Sequence, residues 1–380
     1  MMKKEPVIVI RKIGLILSVV YFVFSGCSKD EIPVGPQINS LEEEVDFILE
    51  KYIKVGAMVG IINKQQEKLI LSYGIKSVDN DEPPDANSVF EIGSITKTFT
   101  TILAADMYLK GNIPDDTVSH YLPAGQVKMP SSDGVEISFV HLATHSSGIP
   151  RNPRGTGYPY PAGYDPFDPY AAYTTEHIYE YLTSYCTLEF VPGTWWLYSN
   201  TGMGLLGHVL GLIDGTSYES ALKRYVLDVL GMESSSLSLT EQQMNNLAVG
   251  HDADRNIVQN WNAQDIFQGC GFIKSTLNDM FQYLEANLGL IETPLRDAID
   301  LTHQPQFHQG SLGDIGLAWY ILELDDGQVI IYHGGGTGGY DSYIGLNRSL
   351  STGVIVLFNS KVQESVLVIG ERLLRAINKY

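Results

Sequence analysis

Apolar residues at Leu41, Val45, Ile48 and Leu49 recur at helical spacing, with Glu42, Glu43 and Glu44 in the first turn and Ser40 placed to cap it. Two apolar runs follow, 57–62 and 69–73. The link between them, 63–68, is polar, so the pair reads as an antiparallel hairpin. Residues 79–87, rich in Pro and Asp, form a loop. Next, Ile95, Phe99, Ile102 and Leu103 follow the i, i+4, i+7, i+8 pattern of a helix with one buried stripe, and Gly111 after Lys110 is a helix stop.

Residues 112–290 read as helices and long loops. The helical stretches are 176–185, a buried glycine-containing run 202–213, then 218–230 and 277–288, the last with Ser275 and Thr276 as caps. Residues 158–173 hold many Tyr, Pro and Gly without alternation. They predict an irregular loop whose aromatic residues either line a cleft or pack on one another. After residue 290 the character changes. Residues 317–324, 329–333, 341–346 and 354–358 are short strand-like runs with tight turns such as Asp325-Asp326-Gly327, and 362–377 is a closing helix. Strands at both ends with helices between predict an α/β (α+β) fold. One antiparallel sheet would be built from both chain ends (about 40–93 plus 290–380), with a mainly helical lobe inserted (about 94–289).

With 380 residues, 44% of them hydrophobic, the chain can bury a large core divided between two lobes. A formal charge of −19 argues against nucleic acid and against electrostatic docking on anionic lipid. Lys3, Lys4, Arg11 and Lys12 form a basic region before a short apolar run, 13–24. That run ends at Phe24-Ser25-Gly26-Cys27, where two small residues before a cysteine resemble the lipobox of bacterial lipoproteins, with Phe24 in place of the usual Leu. The resemblance implies a removed signal peptide (1–26), an acylated Cys27 holding the protein to a membrane of the cell envelope, and a tether (27–39) containing Pro33, Gly35 and Pro36. Ser28-Lys29-Asp30-Glu31 is similar to acidic export tags of surface lipoproteins; an ordinary signal peptide or an anchor helix is the alternative. Outside the cytoplasm Cys186 and Cys270 could pair, and the sequence leaves open whether they meet. No Cys/His cluster has zinc-site spacing; His141 and His145 could share a helix face, each as a local hydrogen-bonding group.

Three stretches carry candidate chemistry. In Ser94-Ile95-Thr96-Lys97 a hydroxyl and an amine share one face at the start of a helix, the parts of an activated nucleophile. The spacing alone is weak: it should occur about once or twice by chance, and Ser220-Ala221-Leu222-Lys223 repeats it on what reads as a helix surface. Tyr198-Ser199-Asn200 offers a phenol that a neighbouring cation could make into a base, and an amide that both donates and accepts. His333-Gly334-Gly335-Gly336-Thr337-Gly338-Gly339 reads as a glycine-rich loop after a strand. It could be a plain hairpin turn, or a place where bare backbone N–H groups approach a substrate as an oxyanion hole; no helix follows to make a phosphate cradle.

Together these stretches resemble the serine β-lactamase and penicillin-binding-protein superfamily, in its class C β-lactamase-like, esterase and DD-peptidase branch. The similarity extends to His141-Leu142-Ala143-Thr144-His145-Ser146-Ser147-Gly148-Ile149-Pro150, Pro192-Gly193 and 275–280, and covers about residues 41–378. It implies Ser94 as the acylated nucleophile, Lys97 as the group that accepts or steers its proton, and Tyr198 as the general base. Asn200, His333, Gly335 and Gly336 would be substrate-binding, with the N–H groups of Ser94 and Gly336 as the oxyanion hole, and no metal or organic cofactor is implied. His333 stands where β-lactamases carry a lysine. A histidine is mostly neutral near pH 7, which predicts poor β-lactam hydrolysis and better activity on esters or peptide-like amides. The expected protein is a cell-envelope serine hydrolase for small-molecule or peptide substrates, peptidoglycan stem peptides among them. The alternatives are a class C-like β-lactamase and a non-catalytic envelope receptor on a hydrolase scaffold.

Overall fold

The computed structural model of the chain describes residues 7–11 (backbone path), 38–153, 157–310 and 313–380. Lys3, Lys4, Lys12, the apolar run 13–24, Cys27 and residues 28–37 of the tether lie outside the described residues. Eleven strands occur among the described residues: β1 (Val7–Arg11), β2 (Gly56–Ile62), β3 (Lys68–Gly74), β4 (Val89–Glu91), β5 (Lys274–Thr276), β6 (Phe307–His308), β7 (Asp314–Ile315), β8 (Tyr320–Glu323), β9 (Val329–Gly336), β10 (Asp341–Asn347) and β11 (Thr352–Phe358). The helices used below are α1 (Leu41–Leu49), α2 (Thr96–Leu109), α3 (Asn200–Asp214), α4 (Leu277–Leu288) and α5 (Val366–Lys379).

The main sheet runs β1-β3-β2-β11-β10-β9-β8-β7-β6, antiparallel except at β1–β3. The chain's two ends thus meet at β2–β11, where Val59 faces Val356, as the sequence predicts. Helices α1 and α5 bury Val45, Leu49, Ile369, Leu373 and Ile377 against one face, with Val59, Leu71 and Val356 beneath them. The other face carries the larger core, with Met58, Ile355 and Leu357 packed among residues of α2, α3 and α4. The expected hairpin and helix α1 form as read, and Ser40 caps α1 by accepting from the Glu43 N–H at 3.2 Å.

The departures have identifiable causes. Val7–Arg11, expected in the leader, lies parallel to β3 in register Val7 to Leu69. Without it β3 is an edge strand whose open backbone groups accept any β-branched run, and the other eight strands of the main sheet complete it on their own. Residues 317–324 are not one strand: Leu317, Ala318 and Trp319 form the buried turn between β7 and β8. The turn is tied to helical segments by Leu317 N–H to Thr302 O and Ala318 N–H to Ala143 O, with Ala318 at φ 65°. The stretch read as helix over 218–230 is α-helical only for Tyr218–Leu222 before widening to a π turn, with Ser220 on the surface. The closing helix begins at Val366, four residues later than expected. Thr276 caps α4, but Ser275 belongs to β5, paired with β4, and its hydroxyl meets that of Ser235. Cys186 and Cys270 are free thiols, both pushed up to about 11 by burial.

Candidate active site

Helix α2 was expected to bury one stripe; it is buried all round from Thr96 to Met107. A threonine-rich helix tolerates this because each hydroxyl finds a backbone partner: Thr98 donates to Ile95 O (2.8 Å), Thr100 to Gly269 O (2.7 Å) and Thr101 to Leu317 O (2.9 Å), while Thr96 accepts from Ile273 N–H (3.1 Å). Ser94 lies in the 3-10 turn Gly93–Ile95 that leads into α2, and it keeps partial solvent access while its neighbours are buried. Gly93 adopts φ 50°, and a Cβ there would stand 2.5 Å from Gly336 N, so only glycine admits this turn against β9.

Lys97 is fully buried. Its ammonium reaches Ser94 Oγ at 3.0 Å and Asn200 Oδ1 at 2.9 Å, and it donates to the Cys270 carbonyl. Three donors meet three acceptors, so the charge is held without a carboxylate. Asn200 Nδ2 donates to Tyr170 OH (2.7 Å), which donates to Asn152 Oδ1 (3.0 Å). Both ends of the Asn200 amide are therefore engaged within the protein, and the amide ties Lys97 to the loop 158–173. Burial raises the Tyr170 phenol, keeping it a neutral donor.

Tyr198 joins by its ring. Lys97 Nζ lies over it at 4.7 Å from the centroid, the Arg151 guanidinium at 4.8 Å, and the His145 ring centroid at 4.3 Å. A direct ammonium–phenol hydrogen bond is not formed, because all three Lys97 donors are already taken. The segment after Tyr198 is firmly placed: Ser199 Oγ caps α3 through Gly202 N–H (2.9 Å) and donates to Pro150 O (3.0 Å). The first N–H groups of α3, from Asn200 and Thr201, bind Arg151 O at 2.9 and 3.1 Å.

Of the expected glycine-rich loop, His333 to Gly336 are instead the end of a strand, while Thr337, Gly338 and Gly339 do form the turn into β10. Gly334, Gly335 and Gly336 pair with Tyr343, Ser342 and Asp341 of β10. At Gly335 a Cβ would stand 2.0 Å from Ile92 O, a carbonyl that Ser342 Oγ pins at 2.8 Å, and at Gly334 it would stand 2.5 Å from the Leu367 side chain. Ser94 and Gly336 line one small cleft with Arg151, Tyr170, Asn200, Trp261 and Phe272. His333 is buried with Nδ1–H donated to Gly334 O (2.6 Å). Burial, then the Lys97 charge, push it down to about 3, so it is a neutral ring. His145 is likewise driven well down by burial; its Nδ1 accepts from Ser199 N–H (3.2 Å), and His141 Nδ1 accepts from Ser138 N–H (3.2 Å). His141 thus makes the local hydrogen bond expected of it, whereas His145 bonds across the chain to the segment that carries Tyr198.

Sequence reasoning missed Arg151 and Trp261, and for Tyr170 it reached only the aromatic loop. A lone arginine after Ile149-Pro150 carries no spacing signal; only the α3 caps and the Tyr198 ring bring it to the site.

Three comparisons bear on this geometry. The sequence profile of the Beta-lactamase family matches residues 43–378. A beta-lactamase of Pseudomonas fluorescens is 27% identical, covering 84% of this chain and 92% of that protein. The D-alanyl-D-alanine-carboxypeptidase/endopeptidase AmpH of Escherichia coli (strain K12) is 26% identical, covering 79% and 78%. A solved class C beta-lactamase superposes with a TM-score of 0.75 at 25% identity, over 88% of this chain and 96% of that one. With a family match across residues 43–378 and the same antiparallel sheet and helices, the chain belongs to the beta-lactamase family, within the serine β-lactamase and penicillin-binding-protein superfamily, and is a serine hydrolase.

Proposed function

We propose that the protein hydrolyses peptide-like amides or esters through an acyl-enzyme on Ser94, in the cell envelope, with peptidoglycan stem peptides as the substrate class. The observation that carries this is the buried Lys97 ammonium 3.0 Å from a partly accessible Ser94 hydroxyl. Ser94 Oγ attacks the carbonyl carbon, and Tyr198 takes the hydroxyl proton while Lys97 holds the oxygen in place. The N–H groups of Ser94 and Gly336 receive the negative oxygen. Collapse breaks the scissile bond, the leaving amine or alcohol takes up the proton, and water then cleaves the Ser94 ester, releasing the acid.

The neutral His333 favours this reading over a β-lactamase, since β9 presents no fixed cation at that position. The likeness to both a beta-lactamase and AmpH supports acyl transfer on either substrate. Envelope location rests on the lipobox-like Cys27 alone.

A fluorophosphonate or fluorescent penicillin should label the wild-type protein and not Ser94→Ala. A panel of p-nitrophenyl esters, nitrocefin and peptides ending in D-Ala-D-Ala should show turnover of esters or peptides well above nitrocefin. Dominant nitrocefin turnover would establish the β-lactamase alternative, and neither labelling nor turnover would establish the receptor.

A further inference from the structure

The hydrolase reading leaves one cation unused. Arg151 lines the small cleft with Ser94 and Gly336, and it also lines a much larger adjoining cleft of about 820 Å³ walled by Phe190, Trp195, Trp196 and Glu189. Its backbone is held by the two N–H groups at the start of α3, while its exposed guanidinium lies over the Tyr198 ring. Among the described residues no carboxylate or carbonyl accepts from that guanidinium. Glu189 stands in the same wall without forming an ion pair with it within 4 Å. Its five planar donors are therefore presented to solvent in the cleft that Ser94 lines, with no protein acceptor among the described residues. On β9 the corresponding charge is missing, because His333 is neutral and its one donor is spent on Gly334 O.

We infer that Arg151 is the anion anchor of the substrate: it binds a carboxylate near the scissile bond, and the aromatic-walled cleft receives the apolar part of the same molecule. A guanidinium and a carboxylate form a two-pronged, charge-assisted contact that a lone imidazole cannot replace. Specificity for an anionic substrate is thereby moved from the strand to the loop after Pro150. The inference rests on the hydrolase reading, and the test separates the two.

The test compares kcat/KM for two matched pairs, with Ser94→Ala as background. One pair is mono-p-nitrophenyl glutarate and its methyl ester, which places the charge on the acyl part. The other is 3-carboxyphenyl acetate and 3-carbamoylphenyl acetate, which places it on the leaving group. Wild type should prefer the anion in at least one pair, and Arg151→Gln should lower that preference about 10- to 100-fold, chiefly through KM, with Arg151→Lys recovering part of it. An anion preference that survives in Arg151→Gln, or no preference in wild type, overturns the inference while the hydrolase reading stands. If wild type hydrolyses none of the four, the hydrolase reading stands or falls with fluorophosphonate labelling of Ser94. The anchor is then judged by quenching of Trp195 and Trp196 fluorescence with N-acetylglutamate against N-acetylglutamine. Selective quenching that is lost in Arg151→Gln supports anion capture, and equal quenching refutes it.

Discussion

At the scale of single residues, Lys97 is the group on which the others depend. A buried ammonium is tolerable only with its donors filled, and here one of the three acceptors is the nucleophile itself. Lys97→Met keeps the volume and removes the charge. It leaves Asn200 Oδ1 and the Cys270 carbonyl without a donor, at about 1–3 kcal/mol each, offset by no longer burying a cation. Stability should change little, whereas fluorophosphonate labelling of Ser94 should slow by about 100-fold or more. Stopped-time labelling beside a thermal melt checks both halves. The pairing of Ser94 with Lys97 was legible in the primary structure because both lie on one helical turn. The supporting acceptors were not, being a carbonyl and an amide more than a hundred positions away.

At the scale of elements, the site depends on how closely strand β9 approaches the turn before α2. That approach is set by the missing side chains of Gly93 and Gly335. Gly335→Ala would put a carbon 2.0 Å from Ile92 O, a backbone atom already held by Ser342. Either β9 or the turn carrying Ser94 must shift, and we expect a loss of roughly 3 kcal/mol in urea unfolding. A displaced nucleophile turn should also lower ester hydrolysis by about 100-fold. Glycine at these positions was read from sequence as a loop, since glycine is usually depleted in strands. The β10 partner and the pressure of Ile92 explain why it is extended instead. The aromatic loop 158–173 was read correctly as irregular. That Tyr170 alone reaches the Asn200 amide could not be read, because nothing in the spacing of its tyrosines distinguishes one from another.

For the whole molecule, acid sensitivity follows from histidines buried as neutral rings in two separate regions. His303 and His333 are each pushed down to about 3, and His145 well down, all chiefly by burial. Their folded values lie below the unfolded value near 6.5, so the unfolded chain binds more protons between about pH 6.5 and 3. Stability is full above that window and is lost as pH falls through it. At pH 5 His303 and His333 should each cost roughly 2 kcal/mol. The raised carboxyls Glu91, Asp279 and Asp341 act in the opposite sense: their folded values lie above the unfolded ones, so the folded chain takes up their protons first and regains stability as pH falls through the folded values, offsetting part of the loss. Calorimetry should therefore find the melting temperature dropping from pH 7 to pH 5, and His303→Asn, which cannot be protonated, should reduce the drop.

The amphipathic helix at residue 41, the hairpin and the nucleophile beside its lysine are local matters of periodicity and spacing, and the order of elements, strands at both ends with helices between, was enough to imply one sheet built from both ends. Contacts between distant segments decided the rest: the strand made of glycines, the ring-on contact of Tyr198, the saturation of Lys97 and the arrival of Arg151 at the cleft. The physical reason is range. Periodicity reports what a segment buries, but a hydrogen-bond donor or a guanidinium acquires its role only when folding brings up the atom it faces.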